Sequence, residues 1–322
     1  MILRIFGHDF HYECESLCRV YYPNEKINIV YDESGDDKKT VVTRCIPIDG
    51  GNRIEVEAVV DGEFRALNAE VFSSDEELCD KSELKMCRLI FEALSDITGY
   101  TPPWGLQTGV RPSKLMLRLI DEMGVENARR YFSEDLLVSD EKTELAYSVA
   151  SAEEKIINLS KDNSLSLYVS IPFCPTRCSY CSFVSHSIGN ANARRILPEY
   201  LEKLAEEIEI TGRIASELGL RLESVYFGGG TPGVLEAPQM DRLLGAIERS
   251  FDLSTVREYT VEVGRPDTVT PEKLRILRLH NVGRISINPQ TFNQKTLEEI
   301  GRNHTVEQSV KAYQLAKAYR FD

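Results

Sequence analysis

The chain has 322 residues, of which 42% are hydrophobic and 28% charged, and its net charge is −13. That length is enough for two domains, and the acidic balance excludes a general nucleic-acid binder, which needs a basic face. No apolar run reaches the ~18 residues of a membrane span, and the opening MILRIFGHDFHYE lacks the basic start and apolar core of a signal peptide, so a cytoplasmic protein is expected.

Residues 1–72 read as β-rich. Residues 27–31 form a short apolar run, and Ile54, Val56, Ala58 and Val60 alternate along a second stretch. Asp61-Gly62 then separates two alternating segments, which is a hairpin signal. Residues 82–97 carry the helical period through Leu84, Cys87, Ile90, Phe91 and Leu94, with Ser82 as the expected cap. The loop 99–112 holds six prolines and glycines around Trp104, and further helices are expected at 113–123, 126–132 and 139–159. Lys161-Asp162-Asn163-Ser164 is a polar break. It divides an α+β domain, 1–160, from a second domain, 161–322.

From residue 165 onward strands and helices alternate. Strands are expected at 165–171, 222–227, 258–263 and 284–288, and helices at 197–218, 238–250, 271–280 and 305–319. Thr270-Pro271 is a good cap and first-turn pair. Repeated βα units favour a parallel sheet with outer helices. The fold class is therefore α/β, a partial (β/α) barrel of four units preceded by a smaller α+β domain. A fifth strand is expected after residue 322, so the chain reads as a fragment of a longer protein.

In such barrels the chemistry sits at the C-terminal ends of the strands. After the first strand comes CPTRCSYC, which places Cys174, Cys178 and Cys181 in a C-x3-C-x2-C run. Clusters are usually held by four cysteines. Three thiolates can hold three irons of a [4Fe–4S] cluster and leave the fourth open, whereas zinc with a distant fourth ligand is the alternative. After the second strand comes Gly228-Gly229-Gly230-Thr231-Pro232, where glycine allows close backbone approach to a ligand or simply a tight turn. Glu262 ends the third strand as a carboxylate among apolar residues, which is costly without a partner. Gln290 follows the fourth. Cys14 and Cys18 read as small core residues, Arg194 and Arg195 as a solvated pair, His186 as a polar loop residue, and His304 as flanking the last helix.

The run YVSIPFCPTRCSYCSF, with Tyr168 and Tyr180 around it, resembles the signature of radical S-adenosylmethionine (SAM) enzymes, and within them the oxygen-independent coproporphyrinogen oxidase family. Those oxidases carry a further cysteine two residues after the third; here Phe183 stands there. WGLQTGVRPSK at 104–114 resembles the N-terminal domain of the HemZ-type coproporphyrinogen dehydrogenases. The resemblance implies a [4Fe–4S] cluster on Cys174, Cys178 and Cys181. It also implies SAM contacts from Tyr168, Tyr180, Gly229, Gly230, Thr231, Glu262, Gln290 and Arg302. No catalytic residue beyond the cluster is implied. The implied reaction is oxidative decarboxylation of coproporphyrinogen III to protoporphyrinogen IX through a 5′-deoxyadenosyl radical. A one-electron donor such as flavodoxin or ferredoxin is implied as a partner. A haem-binding chaperone of the same superfamily, or a radical SAM enzyme on another substrate, is the alternative.

Overall fold

The computed structural model describes residues 1–33, 38–183 and 185–321, with the backbone alone at Asp75. The chain falls into two compact units, Met1–Leu159 and Ser160–Asp322. No helix among the described residues is long and apolar enough to cross a membrane.

The first unit opens with β1 (Ile2–Phe6), α1 (His11–Tyr21) and β2 (Asn28–Val30). A meander follows through β3 (Lys39–Ile48), β4 (Gly51–Val60) and β5 (Glu63–Phe72), then the long α2 (Asp75–Thr98). The sheet order is β2-β1-β3-β4-β5, with β1 parallel to both its neighbours and β3, β4 and β5 antiparallel. Asp61 and Gly62 both have positive φ, and Val60 pairs with Glu63. This is the two-residue turn whose twist matches the strands. Ile54, Val56, Ala58 and Val60 are buried against α1 and α2 with Leu3, Ile5, Leu17, Ile90 and Leu94.

Cys14 and Cys18 are fully buried in that core, and burial pushes the Cys18 thiol up to about 12. A buried, protonated thiol behaves as a small apolar side chain. Two expectations need correction here. The segment 1–72 also contains α1, and α2 begins at Asp75 rather than near Ser82. Ser82 is buried inside α2 and accepts a hydrogen bond from Asn52 Nδ2 at 3.0 Å, so it ties the helix to β4 and caps nothing. A helical layer completes the unit: α3 (Pro112–Met123), α4 (Val125–Arg130), a π-helical turn (Tyr131–Asp135) and α5 (Asp140–Ile157).

The second unit begins with β6 (Ser164–Ile171), followed by the short β7 (Phe173–Cys174) and β8 (His186–Ser187). It continues as α6 (Ala191–Glu217), β9 (Arg221–Gly229), α7 (Ala237–Ser250), β10 (Glu258–Gly264), α8 (Pro271–Leu279), β11 (Arg284–Ile287), α9 (Gln294–Glu299) and α10 (Val306–Ala318). The four long strands form one parallel sheet in the order β11-β10-β9-β6. The unit is an α/β partial barrel. The helix α6 starts six residues before the expected 197, because Asn190 caps it by accepting from Asn192 N at 2.8 Å. Pro198 lies inside it rather than at its start.

The strand registers set the site. Tyr168 pairs with Tyr226, Ile171 with Gly229, Thr260 with Tyr226, and Glu262 with Ser286. These pairings bring the C-terminal ends of all four strands level.

Candidate active site

The cysteine loop leaves β6 and is clasped at its base. His186 N donates to Pro172 O at 2.8 Å and Ile188 N to Cys174 O at 2.9 Å, so β7 and β8 close the loop on itself. The glycine run of β9 lies along its entry. Gly230 N donates to Ile171 O at 2.9 Å and Thr231 N to Phe173 O at 2.8 Å. A Cβ on Gly230 would stand 2.7 Å from Phe173 O and 2.9 Å from Ile171 O. Glycine is therefore required at 230 so that β9 can seat the cysteine loop. Thr231, 3% exposed, donates through Oγ1 to Cys174 Sγ at 3.4 Å.

The far side of the loop rests on the turn after α9. Ser179 N donates to Ile300 O at 3.1 Å and Thr176 Oγ1 to Gly301 O at 3.0 Å. The next residue, Arg302, is 7% exposed; its Nη1 donates to Asn288 O at 3.0 Å and its Nη2 to the Tyr180 hydroxyl at 3.2 Å. Its Nε is buried without a hydrogen-bond partner. Burial raises the Tyr180 phenol, and the Arg302 guanidinium opposes that rise.

Glu262 is half-buried and accepts from the Tyr226 hydroxyl at 2.6 Å. That carboxylate, with burial behind it, pushes the Tyr226 phenol up to about 12. The Tyr168 ring stacks on Tyr226 at 5.8 Å and leaves an exposed aromatic face. Gln290 is exposed and has φ of 65°. A non-glycine residue held there is an uncommon, costly conformation.

Cys174, Cys178, Cys181, Tyr168, Tyr180, Gly229, Gly230, Thr231, Glu262, Gln290 and Arg302 all line one cavity of about 240 Å³. Sequence reasoning missed Arg265 and Thr176 on the same wall, and Tyr226 behind Glu262. The signal for Tyr226 was strand alternation, since it shares a face with Gly228 and faces Tyr168 across the register. His186, Arg194 and Arg195 stay outside the cavity lining. A larger cavity of about 920 Å³ lies in the first unit between α2 and its neighbours and contains none of these residues. Its thiol, Cys87, is raised to about 12 by burial.

All three loop cysteines are free. Among the described residues no three Cys, His, Asp or Glu side chains converge on one ion's position. Cys174, Cys178 and Cys181 line one cavity wall, and three thiolates can each hold one iron of a cluster. The orphaned Arg302 Nε is suited to a carboxylate. The residues fit a cluster on the thiolates with a carboxylate-bearing ligand beside it.

The radical SAM superfamily profile matches residues 168–322. The chain is similar to the oxygen-independent coproporphyrinogen-III oxidase-like protein HemZ of Bacillus subtilis (strain 168), with 32% identity over 332 residues, covering 99% of this chain and 65% of HemZ. It is also similar to the heme chaperone HemW of Lactococcus lactis, with 37% identity over 51% of this chain and 40% of HemW. Among solved structures, coproporphyrinogen III oxidase (HemN) of Escherichia coli aligns with 25% identity over 53% of this chain and 38% of that one, at a TM-score of 0.44. The chain spans less than two thirds of the length of these curated relatives. The superfamily match over the second unit and the chain-long likeness to HemZ agree: the chain belongs to the radical SAM superfamily, in its group of HemZ-type proteins.

Proposed function

We propose that this chain carries the SAM-cleaving site of an enzyme that oxidatively decarboxylates coproporphyrinogen III to protoporphyrinogen IX without oxygen. The observation that carries this reading is the extent of the likenesses. HemZ matches 99% of the chain, first unit included, whereas the HemW chaperones match about half of it.

When bound, the cluster and SAM supply a 5′-deoxyadenosyl radical that abstracts hydrogen. Cys174, Cys178 and Cys181 would hold the cluster, and Arg302 would take the SAM carboxylate in a fork. Glu262, oriented by Tyr226, would accept from ribose hydroxyls. Tyr168, Gly229, Gly230, Thr231 and Gln290 line the remaining wall. The cavity of about 240 Å³ is smaller than the ~300–1,000 Å³ usual for ligand clefts. A tetrapyrrole would therefore sit at its mouth, over the exposed Tyr168 and Phe183 rings. Loss of a propionate carboxyl as carbon dioxide, with a hydrogen atom and one further electron removed, leaves each vinyl group. The first electron has to come from a small redox protein such as flavodoxin or ferredoxin.

The second reading, a haem chaperone, draws on the HemW likeness. One experiment separates the two. The chain is loaded with iron and sulfide without oxygen, then given SAM, reductant and coproporphyrinogen III. 5′-Deoxyadenosine and protoporphyrinogen IX together, both lost in Cys178→Ala, support the decarboxylase. 5′-Deoxyadenosine without porphyrinogen turnover reassigns the substrate. Neither product, with tight haem binding, moves the reading to the chaperone.

A further inference from the structure

Arg265 follows Gly264 at the end of β10 and is 3% exposed. Its Nη1 donates to Thr176 Oγ1 at 2.7 Å and to Thr176 O at 3.3 Å. Thr176 sits inside the cysteine loop, between Cys174 and Cys178. While its hydroxyl accepts from Arg265, it donates to Gly301 O. One guanidinium therefore joins the end of β10, the cysteine loop and the turn that presents Arg302.

The rest of that guanidinium is under-used. Nε forms an ion pair with Asp267 Oδ1 at 3.4 Å but no hydrogen bond, and Nη2 is buried with no hydrogen-bond partner. A buried cation with idle donors is expensive, and arginine cannot relieve the cost by losing its proton. Asp267 supplies one negative charge from the far side, and three thiolates on the loop that Arg265 grips would add more on the side where Nη2 is idle. Net charge and hydrogen bonding around an iron–sulfur cluster set its reduction potential.

We propose that Arg265 is a positioning residue for the cluster. It holds the cysteine loop through Thr176, and its permanent charge raises the cluster's reduction potential. This rests on the reading that Cys174, Cys178 and Cys181 bind a [4Fe–4S] cluster.

The test uses the whole chain, loaded with iron and sulfide without oxygen. The reduction potential is followed by electron paramagnetic resonance, and cluster loss by transfer of iron to a chelator. In Arg265→Gln the reduced-to-oxidised ratio at fixed potential falls about tenfold, which is ~59 mV for a one-electron couple, and cluster loss speeds up several-fold. In Arg265→Lys the charge stays but the fork goes, so the potential remains near wild type while loss still quickens. A merely structural role would not separate the two variants by potential. Thr176→Val cuts the link from the loop side and should also quicken loss; it decides the question if Arg265→Gln does not fold. Wild-type potential and loss rate in Arg265→Gln, equal potentials in the Gln and Lys variants, or an unchanged loss rate in Thr176→Val overturn the inference. A wild-type chain that takes up no cluster overturns the cluster reading, and this inference with it; a loaded wild type with unaltered variants overturns this inference alone.

Discussion

Arg302 Nη2 donates to the Tyr180 hydroxyl at 3.2 Å, linking a residue at the foot of α10 to the aromatic ring between the second and third cysteines. The same guanidinium holds Asn288 O, so a single buried cation ties the cysteine loop to the segment after β11. Its free Nε leaves one edge for a carboxylate. Replacing Arg302 by Ala removes a charge-assisted contact worth about 1.5–3 kcal/mol, so SAM affinity should fall about 10- to 100-fold. Lysine keeps the charge but not the fork and should recover only part of it. Anaerobic equilibrium dialysis of SAM against the loaded chain measures this. Iron content should not change, and an Arg302→Ala chain with wild-type SAM affinity would remove the residue from the site.

Tyr226 is the partner that fixes Glu262. The carboxylate accepts from the phenol at 2.6 Å and thereby holds the phenol's proton, with burial adding to the effect. A raised phenol means that the folded state keeps this proton longer than the unfolded one. The stability it contributes is full below the ordinary tyrosine range near 10 and is lost as pH rises from there through about 12. In Glu262→Gln the largest cause is gone, so Tyr226 should titrate closer to 10. The difference between variant and wild-type absorbance titrations near 295 nm reads the phenols that Glu262 raises, chiefly Tyr226 and to a lesser degree Tyr168, where burial is the larger cause. Superimposable curves would mean that the Tyr226–Glu262 contact does not exist in solution.

Much of the second unit could be read from its sequence because each strand and helix carries its own period, and because the motifs fall at strand ends where parallel α/β folds place their chemistry. What escaped had physical reasons. Pro198 resembles a helix start, yet Asn190 had already capped α6. In α1 the apolar face rests on Cys14, Leu17 and Cys18, and two cysteines are weak markers of a helix. Ser82 has the chemistry of a cap, but a buried Ser is equally at home bonding a neighbouring strand. Arg265 carried no local signal at all: its role depends on Thr176, 89 positions earlier in the chain.

The glycine run is not uniform, and single alanine substitutions should separate its members. At Gly230 a Cβ meets backbone atoms of Ile171 and Phe173 at 2.7–2.9 Å, and backbone in a paired segment cannot yield cheaply. At Gly228 the nearest atom is the Tyr168 hydroxyl at 2.6 Å, the far end of a side chain that can swing away. Gly230→Ala should lose about 1–3 kcal/mol, the usual range for overpacking, and bind less iron. Gly228→Ala should be milder in stability and mainly displace the Tyr168 ring. Urea denaturation with iron analysis of both variants checks the order, and equal losses would contradict it.

His304 gives the second unit a sensitivity to acid. It is fully buried, and Nε2 donates to Pro289 O at 3.3 Å, which fixes the proton on that nitrogen. The other nitrogen, Nδ1, is buried without a partner. Adding a proton there would create a donor with no acceptor, close to the positive Arg302 and Arg265. Burial is the main cause that lowers this imidazole from its ordinary 6.5, with the two arginines acting in the same direction and the Pro289 carbonyl and the Asp267 carboxylate against it. A lowered folded value means that the contribution to stability is complete above pH 6.5 and is lost as pH falls through the depressed value. His304→Gln keeps a donor for Pro289 O and cannot take up the proton. Between pH 7.5 and 5 the wild type should therefore lose more Tm than His304→Gln, measured by circular dichroism in the same buffers. Parallel Tm curves would place the acid sensitivity elsewhere in the chain.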